Sequence, residues 1–126
     1  MEPIRVLVVE DELEVLEATR NALQEDGYRV YTAASGEEGF RYLKAVDPQL
    51  LLIDHKLPGI SGLDFLKAAK AENPSVRAIF MTGLTHLADT LQMQSKRLGV
   101  DAFLSKPLTW GELHLLVRML TKRDRP

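Results

Sequence analysis

The chain has 126 residues, 45% of them hydrophobic, which suits one domain with a proper buried core. Sixteen Lys and Arg stand against eighteen Asp and Glu, a formal net charge of -2, so no global field recruits nucleic acid or an anionic membrane. With no cysteine, a disulfide framework, a thiolate metal site and a thiol nucleophile are all excluded.

The opening, MEPIRVLVVEDE, meets charge after too few apolar residues for a signal peptide. No later stretch suits a bilayer span, so a soluble cytoplasmic protein is expected. Val6 to Val9 is a continuous apolar run, as in a parallel strand covered on both faces, and it ends in Glu10 and Asp11. Val15, Leu16, Thr19, Ala22 and Leu23 then recur at helical spacing, and Gly27 offers the left-handed residue that stops a helix. Residues 28–33, YRVYTA, alternate and carry Arg29, which suggests an edge strand. SGEE at 35–38 has capping-box spacing and starts a second helix.

Leu50 to Ile53 is the third strand, running straight into Asp54. Ser61 is placed to cap a third helix, which Asn73-Pro74 ends. Ile79 to Met81 form the fourth strand, closed by Thr82, and Thr85 is the candidate cap of a fourth helix with Leu87, Leu91 and Leu98 facing inward. Ala102 to Leu104 is read, like the first, third and fourth apolar runs, as an inner strand, and Lys106-Pro107 follow it. TWGE at 109–112 again has capping-box spacing. On the fifth helix Trp110, Leu113, Leu116, Val117 and Leu120 face the sheet, while Leu115 and Met119 point away.

Five strand-helix pairs with right-handed crossovers predict an α/β fold: a doubly wound five-stranded parallel sheet of order 2-1-3-4-5 with five helices, flavodoxin-like. Residues 1–122 form the domain, and 123–126 are a charged tail or the start of a linker. In this order ligands bind at the carboxyl ends of strands one and three, where the winding reverses. Glu10, Asp11, Asp54, Thr82 and Lys106 all fall on that rim. Acids in a helix's first turn, a threonine in a turn and a surface lysine are each ordinary alone. Their coincidence on one rim is what points to function.

Clustered carboxylates repel unless neutralised, and a hard divalent cation with oxygen ligands answers that need. The rim therefore suits a phosphoryl group: Asp54 as nucleophile, Asp11 and Glu10 for Mg2+, Lys106 as cation, and Thr82 as a hydroxyl for a phosphoryl oxygen. His55, His86 and His114 are scattered rather than set at metal-ligand spacing. A haloacid-dehalogenase-type phosphatase would want an Asp where Lys56 stands. The acidic loop after strand one would repel a flavin phosphate, and no G-x-G-x-x-G opens the first helix, so no organic cofactor is expected.

Taken together, VVEDE, DHKLPGISG, MTG and FLSKP resemble the receiver domain of two-component response regulators over essentially the whole chain. The resemblance implies that Asp54 accepts a phosphoryl group from a histidine kinase or phosphotransfer protein. It implies that Glu10, Asp11, Asp54 and the backbone carbonyl of Lys56 hold Mg2+. It also implies that Thr82 and Phe103 are switch residues, that Lys106-Pro107 is cis, and that Pro58 and Gly62 bend the loop. The output surface would be the fourth helix, fifth strand and fifth helix, meeting an output domain, a partner protein or a second copy of the chain. Such a protein is a phosphoacceptor switch, not an enzyme acting on an external substrate. The alternative is a receiver-like interaction module independent of phosphorylation.

Overall fold

Two apolar layers sandwich a single sheet, and alternation along each strand decides which layer a side chain joins. A computed structural model describes residues 2–83 and 88–122. Its elements, in chain order, are β1 (Arg5–Val9), α1 (Leu13–Glu25), β2 (Arg29–Ala33), α2 (Gly36–Val46), β3 (Leu50–Asp54), α3 (Gly62–Glu72), β4 (Arg77–Thr82), α4 (Ala88–Arg97), β5 (Ala102–Ser105) and α5 (Trp110–Thr121). All strand pairs are parallel and the order is β2-β1-β3-β4-β5, the doubly wound flavodoxin-like arrangement.

Leu7, Val9, Leu51, Ile53, Ala78 and Phe80 point to one face, where Leu43 of α2 and Phe65, Leu66 and Ala69 of α3 cover them. Val6, Val8, Leu50, Leu52, Ile79 and Met81 point to the other, beneath Leu16 and Leu23 of α1 and Leu113 and Val117 of α5. Every residue of β3 is buried, which is why its apolar run is unbroken up to Asp54.

The local signals for the helices act as expected at four ends. Ser35 Oγ accepts from Glu38 N–H at 3.2 Å, and Ser61 Oγ accepts from Asp64 N–H at 3.2 Å. After α1, Gly27 takes φ +91 and its N–H donates to Gln24 O, closing the helix. The C-cap of α3 is Asn73, immediately before Pro74.

Three expectations are corrected. β5 is an edge strand, paired only with β4, and Ala102 and Phe103 are just partly buried. A short apolar run can follow from one covered face as well as from two. Thr109 is the N-cap residue of α5 but makes no side-chain cap bond, so only the spacing of the TWGE box is realised. Trp110 is 42% exposed: it is the first residue of α5 and joins neither core layer.

Leu115 and Met119 are exposed as expected, and Leu116 and Leu120 pack against the core beside Val117. Leu98 packs against the opposite layer. Thr85, His86, Leu87, the side chain of Leu91 and residues 123–126 lie outside the described residues.

Candidate functional site

β1, β3 and β4 end side by side, and the chemistry-bearing residues leave the sheet there. Glu10 follows β1, its N–H bonded to Ala33 O at 3.0 Å, and its side chain is fully buried. Asp54 closes β3 at 4% exposure, and Thr82 closes β4 at 6%. The β4-β5 ladder runs one residue past the strand: Lys106 N–H donates to Thr82 O at 2.8 Å, which brings the lysine to the acids. The Lys106-Pro107 bond is cis.

Lys106 Nζ lies 2.6 Å from Glu10 Oε1, 3.2 Å from Asp54 Oδ2 and 3.2 Å from Glu12 Oε1. On the other side of Asp54, Lys56 N–H donates to Oδ1 at 3.3 Å, and His55 Nδ1 lies 3.9 Å from the same oxygen. Glu10 Oε2 accepts from Glu12 N–H at 3.1 Å. Glu12, Asp54, His55, Lys56 and Lys106 border an open cleft of about 530 Å³, shared with Asp11, Leu57, Pro58 and Gly83, while Glu10 lies buried beneath it.

Gly62 closes the floor of the site. Its N–H donates to His55 O at 3.1 Å, and a Cβ there would sit 2.4 Å from Asp54 O and 2.7 Å from His55 Cα. No residue but glycine allows that approach without moving the end of β3.

Electrostatics follow from burial. Desolvation raises the Glu10 carboxyl from 4.5 to about 7; Lys106 opposes the rise, and Asp54 adds to it. Burial works to lower Lys106, but bonding and attraction to Glu10 and Asp54 outweigh it, so the ammonium is held above its ordinary 10.5. The site thus carries more buried acid than one lysine neutralises.

Carboxylate oxygens of Glu10, Glu12 and Asp54 lie within 4.8 Å of one another. This hard, all-oxygen donor set, with Glu10 short of countercharge, fits Mg2+. Asp11 is exposed and lines the cleft rather than joining that closest group. Of the residues expected on the rim, Glu10, Asp54 and Lys106 are in direct contact, with Thr82 on the neighbouring strand end. Phe103 is partly buried, its ring centroid 6.3 Å from that of Phe80.

Sequence reasoning missed two members. Glu12 lay in the quoted acidic run, but as the N-cap of α1 with no cap bond its side chain turns to Lys106 instead. His55 reads in the sequence as one of three scattered histidines, although its position next to Asp54 is the available signal.

The comparisons with known proteins agree with this geometry. The family model for the response regulator receiver domain matches residues 6–118. The chain is 30% identical over 122 residues to a probable transcriptional regulatory protein, TcrX, of Mycobacterium tuberculosis, covering 97% of this chain and 51% of that one. It is 30% identical over 114 residues to sporulation initiation phosphotransferase F of Bacillus subtilis, covering 90% of each. It thus spans about half the length of several curated relatives and nearly all of another. A CheY-like response regulator receiver domain protein from Methanospirillum hungatei JF-1 superposes with a TM-score of 0.86 at 30% identity, covering 93% of this chain and 92% of that one. The chain belongs to the response regulator receiver domain family of two-component signalling.

Proposed function

We propose that Asp54 accepts a phosphoryl group from a histidine kinase or phosphotransfer protein, with Mg2+ as cofactor, and that the chain catalyses only its own phosphorylation and dephosphorylation. One Asp54 oxygen attacks phosphorus. An O–P bond forms as the P–N bond to the donor imidazole breaks, and the imidazole keeps the electron pair. The observation that carries this reading is Lys106 Nζ, standing 3.2 Å from Asp54 and 2.6 Å from Glu10. A preplaced cation stabilises charge on the transferring oxygens without reorganising at the moment of transfer.

Glu10, Asp11, Asp54 and the backbone carbonyl of Lys56 would hold Mg2+, with Glu12 within reach of the same ligands. When bound, Mg2+ supplies positive charge against the phosphoryl oxygens. Thr82 offers its hydroxyl to a phosphoryl oxygen, and Phe103 on β5 reports the change to the surface formed by α4, β5 and α5. That surface exposes Met93, Leu115 and Met119 and would meet an output domain, a partner protein or a second copy. The receiver domain occupies 1–122, with 123–126 a charged tail or the start of a linker. No helix among the described residues is long and apolar enough to cross a membrane.

A small phosphodonor with Mg2+ should add one hydroxylamine-sensitive phosphoryl group to Asp54, mapped by peptide mass spectrometry. Asp54→Asn should take none at that position. A label found only on Ser or Thr overturns the assignment.

A further inference from the structure

We propose that His55 is a positioning residue for the phosphoryl group, its Nδ1 donating a hydrogen bond to a phosphoryl oxygen carried on Asp54; this rests on the phosphoacceptor reading above. Nδ1 is shielded from solvent and has no hydrogen-bond partner among the described residues. Buried polar atoms are nearly always partnered, and the exceptions call for a reason such as a catalytic role or a missing ligand. The nearest acceptor, Asp54 Oδ1, is 3.9 Å away, too far for a hydrogen bond. A phosphoryl group on that carboxylate adds acceptor oxygens beside Oδ1, and a turn of the imidazole toward the cleft would bring Nδ1 within reach of one.

The backbone beneath the ring is fixed. His55 N–H donates to Met81 O at 3.0 Å, and His55 O accepts from Gly62 N–H at 3.1 Å. His55 lines the same cleft as Asp54 and Lys106. Lys106 holds Oδ2, so His55 and the Lys56 N–H stand on the Oδ1 side. Three donors then surround the acceptor from two directions. The bond needs only a proton on Nδ1, which the Nδ1–H neutral tautomer and the imidazolium both supply. Chain neighbours are close in any event, so the discriminating quantity is the donor at the δ position rather than the presence of a side chain.

Beryllofluoride binding with Mg2+ present, and Mg2+ binding alone, should be measured by NMR on wild type, His55→Leu and His55→Asn. Leucine keeps bulk and loses the donor; asparagine keeps an N–H donor near the Nδ1 position. His55→Leu should bind beryllofluoride about tenfold more weakly, the size of one hydrogen bond to a charged group, and His55→Asn should stay within about twofold of wild type. Both should bind Mg2+ as wild type does. Equal beryllofluoride affinity in His55→Leu overturns the proposal, as does an equal loss in His55→Asn or a parallel loss of Mg2+ binding. A wild type that takes up neither beryllofluoride nor a phosphodonor overturns the phosphoacceptor reading itself, and this inference with it.

Discussion

Glu10 is a fully buried carboxyl that shares Lys106 with two other acids, and its pKa of about 7 has a consequence for stability. Between 4.5 and about 7 the folded chain keeps a proton on Glu10 that the unfolded chain has released. Stability of the Mg2+-free protein should therefore fall as pH rises through that window. Glu10→Gln removes the titration, so its thermal midpoint should stay level there, and at pH 8 it should exceed wild type by on the order of 1–3 kcal/mol in urea unfolding. Lys106 follows the same sign at higher pH: its raised pKa gives stability that is full below 10.5 and lost as the pH climbs past it. Lys106→Met should accept a phosphoryl group from a small donor more slowly than wild type in a timed mass-spectrometric assay, since it removes the cation beside Asp54. Strand-end position alone made Glu10, Asp54 and Lys106 legible in the sequence. Glu12 and His55 were not, because the reach of a side chain depends on which neighbour claims it. An acid before a helix reads as a dipole partner until a lysine 94 residues away is seen beside it.

Among elements, the two serine caps and the threonine that resembles them provide a contrast. Ser35→Ala and Ser61→Ala each remove a made bond at a helix start and should cost about 1 kcal/mol in urea unfolding. Thr109→Ala, where the spacing is right but no cap bond forms, should cost only about a few tenths. Gly62→Ala should cost more, roughly 1–3 kcal/mol, because the new methyl group meets backbone rather than a flexible side chain. Capping spacing was readable because it is local. The edge position of β5 was obscured by its own residues: Ala102, Phe103 and Leu104 are as apolar as an inner strand, although the strand has a single neighbour. The predicted order 2-1-3-4-5 itself required an edge there, so topology outranked composition.

At the scale of the whole molecule, both layers of core are built from the alternating faces of the same strands, and that is why the fold could be read almost completely from short apolar runs. What lies outside the core was less legible: Trp110 has helical spacing with Leu113 and Val117, but as the first residue of α5 it joins neither core layer. Leu115 and Met119 are 58% and 62% exposed, one turn apart on α5. If they form a docking face favoured by phosphorylation, beryllofluoride should shift wild type toward a dimer in sedimentation velocity and shift Leu115→Ser/Met119→Ser less. A wild type that stays monomeric assigns the face to another protein. The edge position of β5 also bears on mechanics. The acids and the proposed acceptor leave β1 and β3, each clamped by a neighbour on both sides, whereas the lysine that holds them leaves a four-residue strand clamped on one. A pull along the Lys106 linkage therefore acts between a stiff anchor and a compliant one. Displacement should concentrate in the compliant member, so β5 and the start of α5 move while the centre of the sheet stays still.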